Sequence, residues 1–107
     1  EAILRKAAER KNGAERKILI KGKATVTAAA AKVFAAAGID LIGNESQTVG
    51  PENAPKEVHL ILLGKDVVLL EGIRLGAVSE GVYMLNCAPL NLTGIDGSPC
   101  RAVLMEI

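Results

Sequence analysis

The chain has 107 residues, the usual length of one small domain, and half of them are hydrophobic, so it has the material for a core. With one Phe, one Tyr and no Trp, that core must be built from Leu, Ile, Val and Ala. A net charge of +1 without a basic block, and without aromatic platforms, excludes nucleic acid as a main partner, because phosphate binding needs clustered Lys and Arg and base stacking needs aromatic rings.

In chain order, Glu1 to Lys11 has a helical pattern, with Ile3, Leu4, Ala7 and Ala8 on one face and charges opposite. Asn12-Gly13 supplies a stop. Arg16 to Lys21 reads as a strand centred on Ile18, Leu19 and Ile20. Thr27 is placed to cap an Ala-rich helix from Ala28 to Ala37, which Gly38 ends in a left-handed conformation. Asp40 to Gly43 reads as a short buried strand, and Asn44 to Pro55, with Gly50, Pro51 and Pro55, as a loop. Lys56 to Leu63 reads as a helix stopped by Gly64. Asp66 to Leu70 is a continuous apolar run of the kind found in a sheet covered on both faces. Val82 to Leu90 and Arg101 to Ile107 complete the strands, with a turn-rich loop over Leu92 to Pro99. The alternation of helices and strands predicts an α/β layer structure.

No run reaches the ~18 apolar residues that span a bilayer, and no signal peptide opens the sequence. We therefore expect a cytoplasmic protein without a membrane partner, with Cys87 and Cys100 as reduced thiols. Cys100 follows a proline at a strand start and is expected to be buried rather than nucleophilic.

The residues that could carry chemistry are few. His59 is the only histidine and Glu71 ends an apolar run. Imidazole nitrogen and carboxylate are both good ligands for zinc or manganese. Their spacing is too long for one helical face and suits a ligand on a helix followed by one at the end of the next strand. The alternative is a half-buried histidine and a surface-turn glutamate. Glu45, Ser46, Gln47 and Thr48 follow a buried strand, where α/β sheets bind ligands, and are candidates to line a substrate pocket. An ordinary turn explains them equally well. Arg101 can clamp a carboxylate bidentately or serve in a structural ion pair. Dinucleotide, phosphate-loop and nucleophile-elbow motifs are absent.

From about Thr27 onward the chain resembles the C-terminal half of the cyclase family, which includes bacterial kynurenine formamidases and isatin hydrolases. The stretches that carry the resemblance are Ala-Gly-Ile-Asp-Leu-Ile-Gly at 37–43, Val-His-Leu-Ile-Leu-Leu-Gly at 58–64 and Val-Leu-Leu-Glu-Gly at 68–72. Ala-Pro-Leu-Asn-Leu at 88–92 and Gly-Ile-Asp-Gly-Ser-Pro-Cys-Arg-Ala at 94–102 follow in the family's order. The resemblance implies part of a swivelling β/β/α fold, with a mixed sheet flanked by helices. It implies a metal-dependent hydrolase of a small-molecule amide, with His59 and Glu71 completing a zinc or manganese site. The family's other ligands come from a motif of the form His-x-Gly-Thr-His-x-Asp-x-Pro-x-His, which this sequence lacks. Glu45 and Thr48 stand at the family's Asp and Ser positions, and Gln47 at the proline between them.

The expectation is thus a single partial domain over residues 1–107, inactive alone. The missing N-terminal half, or a partner chain, would complete the metal site. A second expectation is a non-catalytic partial domain that acts by forming a homo-oligomer, or pairing with a partner chain, through an exposed apolar sheet face. A third is a metal carrier that shares ions across a symmetric interface.

Overall fold

The computed structural model describes residues 1–9 and 16–107. The expected Asn12-Gly13 stop and the last two residues of the expected first helix lie outside the described residues. Within them, α1 spans Ala2–Ala8 and lays Leu4 and Ala7 against the core.

A three-stranded parallel layer follows. Its strands are β1 (Lys17–Ile20), β2 (Leu41–Asn44) and β3 (Val68–Leu70), in the order β1-β2-β3. Parallel neighbours need a crossover, and here each crossover carries a helix: α2 (Ala28–Ala36) between β1 and β2, and α3 (Lys56–Leu63) between β2 and β3. Two crossovers stepping in the same direction place both helices on one face, where α2 and α3 pack on each other. Ile18, Ile42 and Leu69 align across the sheet and meet Ala31, Phe34, Val58 and Leu62 in one core. Each such aliphatic side chain, fully buried, contributes roughly 1.5–3 kcal/mol.

Thr27 caps α2 as expected, its hydroxyl accepting from the Ala30 N–H at 3.1 Å, and Gly38 takes φ +75° beyond the C-terminus. Helix α3 stops at Gly64 as expected, but the chain turns two residues later. Gly64 stays right-handed, and Asp66, at φ +58°, makes the left-handed turn. Asp is among the few non-glycine residues that enter this region readily. Asp66 therefore belongs to the turn, and β3 begins only at Val68.

The strand covered on both faces is β2, not β3. All four β2 residues are buried, whereas Val68 of β3 is 54% exposed. Pairing order is the reason: β2 is central, and β3 lies at an edge of the described sheet. The second face of β2 is closed by the chain that follows β3. Gly72 N–H donates to the Ser46 carbonyl at 2.8 Å and Ile73 N–H to the Asn44 carbonyl at 3.1 Å, and Leu41, Leu70 and Leu75 are buried.

The α/β class is as expected, but parallel and antiparallel pairings lie in separate sheets rather than in one mixed sheet. Strands β4 (Tyr83–Pro89) and β5 (Cys100–Glu106) form a two-stranded antiparallel ribbon in register Tyr83↔Glu106 to Pro89↔Cys100. No residue of either strand is buried. Cys100 is exposed, against expectation, because nothing described packs on the start of β5. It faces Pro89, while Cys87 faces Ala102, and both thiols are free. No described helix is long and apolar enough to cross a membrane.

Candidate functional site

The loop from Ser46 to Pro55 carries Thr48 back over the first turn of α3. Gly50 makes this possible. A Cβ there would lie 3.1 Å from Pro55 Cα, the Pro55 carbonyl oxygen and Val58 Cβ, so the loop rests on the helix with no room for a side chain. The buried Asn44 holds the same loop from beneath. Its Nδ2 donates at 3.0 Å to the carbonyls of both Ala24 and Thr48. Asn44 Oδ1 is buried and finds no hydrogen-bond partner among the described residues. Its place directly after an apolar strand was the only sequence signal for this role.

His59 sits in the first turn of α3, its N–H bonded to the Pro55 carbonyl at 3.0 Å. Glu71 directly follows β3. The parallel layer brings the two together, with His59 Nε2 3.3 Å from Glu71 Oε1. Their side chains are 31% and 28% exposed, so the pair lies at the surface of the layer within reach of solvent. Thr48 Oγ1 is also 3.3 Å from His59 Nε2, and it accepts the Gly50 N–H at 3.2 Å. Thr48, His59 and Glu71 thus form one cluster.

The other candidates are placed differently. Both Glu45 carboxylate oxygens are engaged by backbone, Oε1 by Leu75 N–H and Oε2 by Gly22 N–H, each at 2.6 Å. The Leu75 bond first, then the Gly22 bond, holds its carboxyl below the ordinary glutamate range, and nearby Lys21 and Lys23 add to this. With Lys23, Gly72, Ile73 and Arg74 it lines a cleft of about 370 Å³. Ser46 is buried and Gln47 exposed. Arg101 is exposed on β5 and makes neither an ion pair nor a hydrogen bond with described residues.

A larger open groove, about 810 Å³, lies between the β1 side of the layer and the ribbon, and none of Thr48, His59 or Glu71 lines it. Apolar side chains such as Leu19, Leu75, Leu85 and Leu104 line it.

The donor chemistry of His59 and Glu71, one imidazole nitrogen and one carboxylate, suits a divalent cation such as zinc or manganese. Among the described residues, however, no group of three or more His, Cys, Asp or Glu side chains is close enough to hold one. The pair fits such an ion as part of a ligand set and not as a complete set.

Known proteins resemble this chain over part of their length. A kynurenine formamidase from Sphingopyxis alaskensis is 40% identical over 85 residues, which is 76% of this chain and 41% of that protein. Cyclase-like protein 3 of Oryza sativa is 38% identical over 69 residues, 64% of this chain and 26% of the other. A solved structure described as a predicted metal-dependent hydrolase from Bacillus stearothermophilus superposes with a TM-score of 0.70 at 32% identity, covering 75% of this chain and 39% of that one. By sequence and by fold, the chain is a relative of the cyclase-like proteins and kynurenine formamidases. It spans about a quarter to two-fifths of the length of these cyclase-like relatives. No family model matches it.

Proposed function

We propose that this cyclase-like chain supplies an imidazole and a carboxylate, from His59 and Glu71, to the zinc or manganese site of a hydrolase that cleaves an amide C–N bond. The observation that carries the proposal is the 3.3 Å approach of Nε2 to Oε1, made by two elements that only the parallel layer brings together. Its similarity to a kynurenine formamidase and to structures described as metal-dependent hydrolases supports the reaction class. The remaining ligands and the general base come, in this proposal, from polypeptide outside these 107 residues.

His59 and Glu71 would hold part of the coordination of a divalent cation, which when bound would supply Lewis-acid chemistry toward a substrate carbonyl and a water nucleophile. The chain's own residues act around it. His59 would supply a ring nitrogen from the first turn of a packed helix, with the Thr48 hydroxyl 3.3 Å from its Nε2. Glu71, directly after β3, contributes negative charge at a fixed distance. Glu45 holds the 21–24 and 72–76 backbone together and so fixes the turn that presents Glu71.

The test is calorimetric titration of zinc and of manganese into the chain, beside His59→Ala and Glu71→Gln. We expect weak binding, as for an incomplete ligand set, that each substitution reduces by at least tenfold. Binding that survives both substitutions would overturn the assignment.

A second function is favoured by one observation. The ribbon leaves Met84, Val103 and Met105 exposed, an apolar surface of the kind that pairs with another chain. Sedimentation analysis separates the two. A stable oligomer that binds no metal supports an interaction domain, and a metal-binding monomer supports the hydrolase part.

A further inference from the structure

We infer that the cleft of about 370 Å³ beside Glu45 is a subsite for a small carboxylate, which Lys23 and Arg74 hold, and that the amide substrate carries this group. The link to the substrate rests on the proposed hydrolase role; the carboxylate site itself does not.

Three charged side chains line the cleft: Lys23, Glu45 and Arg74. Opposite charges on one cleft would ordinarily pair, and here they do not. Both Glu45 oxygens accept from backbone instead, Oε1 from Leu75 N–H and Oε2 from Gly22 N–H, each at 2.6 Å. Lys23 acts on that carboxylate through its charge alone. Neither Lys23 nor Arg74 makes an ion pair or a hydrogen bond with a described residue. Lys21, the other cation near Glu45, is committed elsewhere, its Nζ donating to the Gly76 carbonyl at 3.3 Å and the Val78 carbonyl at 2.7 Å. The cleft therefore keeps two cationic donors whose only nearby carboxylate is already satisfied. An ammonium and a guanidinium donate and never accept, so the occupant that fits them accepts and carries negative charge. The Glu45 charge opposes such an occupant, but two amide donors offset it and the two cations outnumber it.

The backbone selects the class of anion. Phosphate sites are commonly built from free backbone N–H groups aimed at the ligand. In this cleft the N–H groups of Gly72 and Ile73 are spent on the carbonyls of Ser46 and Asn44, at 2.8 and 3.1 Å. A carboxylate needs no such cradle, because the planar arginine fork matches its two oxygens and the lysine adds a point charge. Position gives the site its use. Gly72 directly follows Glu71, so the cleft begins one trans peptide, ~3.8 Å between Cα atoms, from the proposed metal ligand. Gly72 takes φ +68°, and a Cβ placed there would meet no atom within 4 Å, so the cleft wall is bare at that point. An amide whose acidic end rests on Lys23 and Arg74 has one end fixed, which restricts how its C–N bond can lie.

The test follows amide NMR shifts of the metal-free, nitrogen-labelled chain during titration with propionate, with its uncharged twin propionamide and with inorganic phosphate, all at constant ionic strength. Propionate should shift the amides of Lys23, Gly72, Ile73 and Arg74 saturably, and propionamide should not. Lys23→Gln and Arg74→Gln should each weaken binding by roughly twofold to fivefold, the worth of one exposed ion pair, without disturbing the rest of the spectrum. Arg74→Lys should recover part of the loss. Equal shifts from propionate and propionamide, or variants that bind like the wild type, overturn the inference. Tighter binding of phosphate than of propionate overturns the assignment to a carboxylate. Manganese then tests the link to the substrate. It should speed the proton relaxation of propionate more in the wild type than in Arg74→Gln, because only the wild type holds the probe beside the metal. Saturable propionate binding without that difference leaves the carboxylate site standing and removes its link to hydrolysis. Metal binding without propionate binding removes the carboxylate site and leaves the metal assignment intact.

Discussion

The parallel layer and the ribbon have similar apolar content and opposite fates. In the layer, Ile42, Val58, Leu62 and Val67 are all but inaccessible to solvent, because two helices close one face of the sheet and the chain after β3 covers the other. In the ribbon, Met84, Val103 and Met105 are exposed. Strands β4 and β5 pair along their whole length, yet no residue of either is buried. Pairing alone does not bury side chains, and a two-stranded ribbon is marginal in water without a third strand or a packed helix. The candidate site belongs to the well-buried region. Thr48, His59 and Glu71 all project from the layer, so the residues that need fixed geometry stand on the part of the chain best able to supply it.

The comparison can be broken most directly by equal truncations in the two regions. Leu62→Ala should cost about 2–5 kcal/mol in urea unfolding, as a buried leucine does. Val103→Ala in β5 should stay within about 0.5 kcal/mol. Comparable losses would mean that the ribbon is covered in solution, and the contrast would have to be abandoned. Amide exchange sharpens the same point at single-residue level. The amides of Ile42 and Gly43 should exchange only through global unfolding, whereas those of β4 and β5 should open locally at far lower free energy.

The smallest effect concerns acid. Glu45 has its carboxyl held below the ordinary glutamate range by the Leu75 and Gly22 amides. A depressed folded pKa contributes stability that is fully present above the unfolded value and is lost as pH falls through the folded one. The stability of the chain should therefore decline below the ordinary glutamate pKa of 4.5. Glu45→Gln should flatten that part of the decline and lower the melting temperature at neutral pH. Asp40 is lowered in the same sense, chiefly by its hydrogen bond to Arg16 and then by Lys17, and supplies an independent share of the acid dependence. An acid profile unchanged by Glu45→Gln would show that this carboxylate does not join the two backbone segments in solution.

The sequence by itself determined the local elements and their order. Thr27 and Gly38 bound α2 because caps are satisfied by residues a few positions away, and the runs around Ile18, Leu41 and Val68 read as strands because they are apolar over a short stretch. It also singled out His59 and Glu71 by residue type, and the family resemblance gave them a place in an ordered set of motifs. Tertiary structure decided what depends on neighbours distant in the chain. Which strand is central made β2, rather than β3, the one buried on both faces. Gly50, with no side chain, let the loop lie against α3 and brought Thr48 onto His59. Backbone amides from two separate segments engaged Glu45, which residue type alone left free to face a ligand. Among the described residues nothing covers Cys100 and nothing pairs with Arg101. Hydrogen-bond caps and hydrophobic runs are written within a few residues, whereas burial and side-chain partnership are properties of surfaces that meet only when the chain has folded.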